Sequence, residues 1–208
     1  MKAVTFVLLL WTASAFAQNV DNSANPLHQK GTWDLGGWVQ GGHSITGGVS
    51  GVGAFMAGFR VGKILTKEKG KGWYRGNFEM AADAVPVTLI FQTVPCVSVS
   101  APPCPRDETV YGGGVNPLIM VWNFTKPKNY TPYAELGGGL LFTSADVPAF
   151  TSAVNFTPQF AVGVHLFTRK RQSLSLAGRY LHISNAGLGD LNPGINTFQF
   201  TLGYHWFR

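Results

Sequence analysis

A histidine and a serine two residues apart, His182 and Ser184, end an alternating stretch and carry the clearest chemistry in the chain. Side chains at i and i+2 of a strand share a face, so the two sit side by side. A serine hydroxyl is a weak nucleophile until a neighbouring base takes its proton, and imidazole is the usual base. The pattern H-x-S alone is common; its surroundings give it weight. Counting back by twos reaches Tyr180, Gly178, Leu176 and Leu174, an apolar face, while Ser173, Ser175, Ala177 and Arg179 take the other, which turns apolar at Leu181 and Ile183. The segment from Ile195 to Phe207 alternates too, with Asn196, Phe198, Phe200, Leu202, Tyr204 and Trp206 in one stripe. A hairpin that pairs His182 with Asn196 sets Tyr180 opposite Phe198 and Leu176 opposite Leu202.

Two alternating strands need a larger sheet to hold them. Only 12% of the residues are charged, against roughly 25% in soluble domains, so part of the surface is expected to face something other than water. Residues 1–17 read as a signal peptide with cleavage before Gln18, because a lysine precedes a short apolar run that ends in Ala-Phe-Ala. No later segment offers about 18 uninterrupted apolar residues, so no membrane-spanning helix is expected. Strands with one apolar face, 26 glycines and no helical span predict an all-β fold, a transmembrane β-barrel, since the bilayer leaves no open sheet edge satisfied.

After a polar N-terminal segment at 18–30, the barrel is expected over 31–208, with eight antiparallel strands near 31–43, 52–65, 72–91, 109–124, 129–143, 155–168, 173–185 and 194–207. Most exceed the roughly 9–11 residues a tilted strand needs to cross the bilayer. Connections at 66–71, 125–128 and 169–172 are short and basic; those at 44–51, 92–108, 144–154 and 186–193 are generally longer and hold Asp107, Glu108, Asp146 and Asp190. Short periplasmic turns and longer external loops are the plan of bacterial outer-membrane barrels. The net charge of +6 then belongs mainly to the inner turns, which argues against a nucleic-acid surface. The charged residues Arg60, Arg75, Glu79, Asp83, Glu135 and Arg179, with Asn77, are expected to face inward and to pair, because an isolated buried charge is very costly. An eight-stranded barrel is just filled by its side chains, so no channel is expected. His43, His165 and His205 show no ligand spacing and read as structural, and Tyr204 to Arg208 read as an aromatic anchor at the inner interface. Cys96 and Cys104, in a proline-rich stretch, are expected to close a loop disulfide in an oxidising compartment, with free thiols the other reading.

The run HISNAGLGDLNPGIN from His182 to Asn196 resembles the signature of the lipid A 3-O-deacylases of Gram-negative outer membranes. The resemblance implies an eight-stranded barrel in the cell outer membrane that hydrolyses the 3-position acyl ester of lipid A, a lipopolysaccharide component of the outer leaflet. It implies Ser184 as nucleophile, His182 as general base and Asn192, with donors near Asn185, as oxyanion hole. Tyr180, Leu176, Phe198 and Phe200 would offer apolar surface to the acyl chain, and neither metal nor cofactor is called for. Where the family has a glutamate, twelve residues after the serine, this chain has Asn196. Three outcomes stay open: an Asn-type triad, a substitute carboxylate such as Asp190, or an inactive enzyme. The competing readings are a non-enzymatic barrel serving adhesion or envelope integrity, and an esterase for phospholipid. A homodimer packed on the exposed face is compatible with the sequence.

Overall fold

The computed structural model describes residues 25–96, 105–127 and 130–208. The expected signal peptide, residues 18–24 and Cys104 lie outside the described residues, and with Cys104 so does the expected disulfide. Strands run over Trp33–Ser44 (β1), Gly53–Ile64 (β2), Gly76–Val94 (β3), Arg106–Phe124 (β4), Thr131–Thr143 (β5), Val154–Phe156 (β6), Gln159–Arg169 (β7), Gln172–Ile183 (β8) and Ile195–Phe207 (β9). Neighbours pair antiparallel around the ring, β1 pairs with β9, and β4 pairs with β5, so the sheet closes. Both β6 and β7 pair with β5, and Thr157-Pro158 separates them. They are two pieces of one barrel strand, which makes eight. Pro86 and Pro117 fall at register shifts in β3 and β4, where a residue without an N–H costs the ladder least.

Burial follows a period of two. In β8, Ser173, Ser175, Ala177, Arg179 and Leu181 are buried, while Leu174, Leu176 and Tyr180 are exposed on the outer wall. A small barrel has room inside for side chains alone, and here they are polar and charged. Arg60 bonds Asp83 through Nε (2.8 Å) and Glu135 through Nη1 (2.9 Å). Arg179 donates to the other oxygen of Glu135 (2.7 Å) and to Gln159 (2.8 Å). Two guanidiniums thus share one carboxylate at the centre of the lumen. Glu79 accepts from Asn123 (2.9 Å). A cavity of about 20 Å³ among Trp38, Gln40, Met56 and Thr88 holds about one water. The lumen is a plug.

Two expectations change at the inner end. Arg75 does not face inward: residues Gly72–Tyr74 form a 3-10 turn rather than strand, and Arg75 pairs with Glu68 outside the lumen. His205 and Phe207 are not part of the aromatic anchor, because both point into the lumen and are buried, while Tyr204 and Trp206 face out. His165 and His205 also come together although their strands are apart, with ring centroids 4.8 Å apart. His205 Nδ1 meets Asp34 (2.9 Å) and its Nε2 meets Ser175 (3.0 Å). That is the order of a hydrolase triad, yet all three residues are sealed from lipid and water, with at most 4% exposure. It is part of the plug.

The N-terminal residues close the inner mouth. A 3-10 turn at Pro26–His28 buries Leu27 against Ile64, Phe167 and Phe207. Burial pushes the His28 imidazole below its usual range, against the pull of Glu68. Burial also raises the Glu68 carboxyl, but hydrogen bonds from Thr125 and Arg75 and the nearby charges outweigh it and hold it low. Both shifts have the same consequence. The unfolded chain binds a proton at His28 near pH 6.5 that the folded end resists, and Glu68 loses its stabilising charge at lower pH still. We expect the Leu27 and His28 amides to exchange faster below about pH 6.5 once intrinsic rates are corrected; unchanged protection down to pH 4 would contradict this.

Candidate active site

β8 runs outward and β9 returns, so their outer ends bring His182 and Asn196 into direct register. Tyr180 faces Phe198 and Leu176 faces Leu202 as well, the register expected from the alternation alone. The pairing is fixed because sliding by one residue would turn every apolar side chain of the wall into the lumen.

His182 Nδ1 and Asn196 Oδ1 are 2.6 Å apart. Asn196 Oδ1 also accepts from the Tyr180 hydroxyl (2.7 Å). On its other end Asn196 Nδ2 donates to the carbonyls of Gly47 (2.8 Å) and Thr46 (3.3 Å), in the external loop between β1 and β2. With Nδ1 engaged by a carbonyl oxygen, that nitrogen carries the proton and Nε2 is left with a lone pair, the form a general base needs. Among the described residues Asp190 makes no hydrogen bond to the ring; Asn196 holds the nitrogen that a substitute carboxylate would need.

Ser184 sits just past the last residue of β8. Its backbone pairs with Phe156 of β6 in both directions (2.7 and 3.1 Å), and His182 N donates to Pro158 O (3.0 Å). The break at Thr157-Pro158 therefore seats the strand end that carries the serine. Ser184 is 8% exposed, and no hydrogen bond joins its hydroxyl to His182 among the described residues. Such contacts often tighten only when substrate is bound.

The loop that follows is organised by two asparagines. Asn185 is buried, donates through Nδ2 to Leu191 O (2.9 Å) and accepts from Gly187 N (2.9 Å). Its own N–H goes to Asn192 Oδ1 (3.2 Å). Both ends of the Asn185 carboxamide are thus used to shape the loop, and its backbone N–H is used as well. Asn192 spends its oxygen there, which turns its two amide hydrogens to the opposite side. Of the two, only Asn192 keeps amide hydrogens that no bond within the loop uses, among the described residues.

Gly194 packs against the His182 ring. Its φ is +66°, and a Cβ there would lie 2.8 Å from His182 Cε1. Gly194→Ala meets both a backbone that disfavours side chains and a clash with the ring. We expect at least a tenfold loss of turnover with the barrel still folded, since about 1 Å of misplacement can cost roughly a hundredfold. Wild-type turnover in that variant would show that the ring tolerates displacement.

Below the site, Tyr180, Leu176, Phe198 and Phe200 are 38–67% exposed on the outer wall, and the rings of Phe198 and Phe200 meet edge to face at 5.3 Å. The structure thus brings Ser184, His182, Asn196 and Asn192 to one outer strand end, above this apolar surface. Neither the polar contact of the Tyr180 hydroxyl nor the Thr46 and Gly47 carbonyls were expected from the sequence. Tyr180 was signalled by its place on the His182 face; backbone carbonyls of a distant loop leave no mark in a residue pattern.

A family model described as lipid A 3-O-deacylase (PagL) matches residues 98–205, more than half of the chain. Among solved structures, the crystal structure of the outer membrane enzyme PagL aligns with a TM-score of 0.51 and 18% identity, covering 82% of this chain and 97% of that one. The outer membrane protein OprG from Pseudomonas aeruginosa aligns with a TM-score of 0.54 and 10% identity, covering 88% of this chain and 99% of that one. At these identities the two structures speak for the barrel fold alone. No curated protein matches the chain significantly.

Proposed function

Because the chain belongs to the lipid A 3-O-deacylase family and is an outer-membrane β-barrel hydrolase, we propose that it removes the 3-position acyl chain of lipid A by a Ser184/His182 mechanism at the outer end of β8. The observation that carries this reading is the 2.6 Å contact between His182 Nδ1 and Asn196 Oδ1, which leaves Nε2 as the base two residues from a serine. Lipid A lies in the outer leaflet with its ester carbonyls just beneath the headgroup. An external strand end on the lipid-facing wall meets an ester at that depth.

In this mechanism Ser184 Oγ attacks the ester carbonyl while His182 Nε2 takes its proton. Charge builds on the carbonyl oxygen, and the Asn192 amide donates to it. His182 then returns the proton to the leaving sugar oxygen, and the acyl group stays on Ser184. A water, deprotonated by the same imidazole, cleaves that ester and frees the 3-hydroxy fatty acid. Leu176, Phe198 and Phe200 hold the departing chain. Asn196 orients the ring but adds no charge to stabilise the imidazolium. Cys-His-Asn enzymes work with the same neutral third member.

Purified protein in mixed micelles, offered lipid A and a phospholipid separately and followed by mass spectrometry, tests the substrate. Loss of one 3-hydroxyacyl chain from lipid A with the phospholipid intact is expected. Hydrolysis of the phospholipid alone would replace lipid A as substrate, and no hydrolysis of either would favour a non-enzymatic barrel.

A further inference from the structure

We infer that the external β1–β2 loop is a carbonyl clamp that makes asparagine, and not a carboxylate, the fitting third member of the triad, with Tyr180 as a positioning residue of the same device. The inference rests on the Ser184/His182 reading.

A carboxamide has one accepting end and one donating end, and the protein determines which faces the imidazole. Here Nδ2 lies against two backbone oxygens, Gly47 O at 2.8 Å and Thr46 O at 3.3 Å. Reversing the amide would press Oδ1 onto those carbonyls and turn Nδ2 toward His182. Nδ1 would then have to accept, the ring proton would move to Nε2, and the base would be lost. The loop forbids that state. Tyr180 fixes the other end, because its hydroxyl donates to the same Oδ1 at 2.7 Å and a second donor keeps the oxygen in place.

The same clamp disfavours the family's acid. A carboxylate at position 196 would set a charged oxygen, without a hydrogen, against two carbonyl oxygens at hydrogen-bond distance. Gly47 is what allows the approach: its φ is +96°, and a Cβ there would lie 2.8 Å from Asn196 Nδ2. In serine proteases the Asp-to-Asn change costs about 10⁴ through the wrong tautomer. A loop that fixes the tautomer from behind removes the cause of that loss, so the asparagine is a matched part of this site.

The test joins a spectroscopic readout to kinetics. In histidine-¹⁵N-labelled protein in lipid nanodiscs at pH 8, His182 is expected as the Nδ1–H tautomer, and Gly47→Ala is expected to weaken that preference. Asn196→Asp, the same size as the native residue, should fold and lose at least about tenfold in turnover of lipid A. Tyr180→Phe should lose roughly three- to tenfold in kcat, the worth of one hydrogen bond, with KM little changed. An Nε2–H ring in the wild type, or Asn196→Asp or Asn196→Glu equalling the wild type, would overturn the clamp. An Nδ1–H ring in a protein that leaves lipid A intact would uphold the clamp and sink the deacylase reading instead.

Discussion

Ser184→Ala is expected to abolish lipid A deacylation while the barrel folds and inserts as before. Removing the nucleophile of a serine hydrolase lowers kcat by a factor on the order of 10⁶, and the small rate that survives comes from binding and the oxyanion donors. Ser184 lies past the last residue of β8, and what seats it is its backbone pairing with Phe156. The alanine keeps that pairing, so the loss is one of chemistry. Purified wild type and variant, compared on one lipid A preparation, give the ratio directly. A variant within tenfold of the wild type would remove Ser184 from the mechanism.

The second large effect is on stability. Glu135 is buried at the centre of the lumen and holds both Arg60 and Arg179, at 2.9 and 2.7 Å. Glu135→Leu leaves two guanidiniums around an isobutyl group that accepts no hydrogen bond. Arg60 keeps Asp83 and Arg179 keeps Gln159, but each loses its shared carboxylate. Breaking a buried pair by deleting one partner typically costs about 3–5 kcal/mol. The urea midpoint for unfolding from lipid vesicles should fall accordingly, and turnover at low denaturant should change far less, because the lumen does not touch the ester. Glu135→Gln, whose single carbonyl oxygen can still accept from one of the two arginines, should recover part of the loss. A leucine variant as stable as the wild type would mean that the lumen relaxes or admits water.

The alternation of β8 and β9 was legible from sequence because each buries one face in the lumen and shows the other to lipid, and a period of two has no other register that keeps Arg179 inside and Tyr180 outside. The same logic found the inward Arg60, Asp83 and Glu135. It failed where the chain leaves the ladder. Gly72–Tyr74 turns away as a 3-10 turn, so Arg75 follows the turn and not the strand. β3 and β4 run further than expected, to Val94 and from Arg106, because an outer loop can continue as paired strand beyond the bilayer. Thr157-Pro158 splits one barrel strand, since proline cannot donate to the ladder. His205 and Phe207 look like an aromatic anchor by composition, and parity alone shows that they face the lumen. In the site, His182 and Asn196 were found by register, and the loop role of Asn185 emerged only from its hydrogen bonds. The partners of Asn196 are carbonyls about 150 residues away in sequence, and only the folded chain brings them there.

The most direct measurement is mass spectrometry of lipid A extracted from outer membranes that carry equal, correctly inserted amounts of the wild-type protein or Ser184→Ala. Loss of one 3-hydroxyacyl chain with the wild type, and intact lipid A with the variant, is the predicted result. Identical lipid A in the two membranes would contradict a Ser184-dependent deacylase.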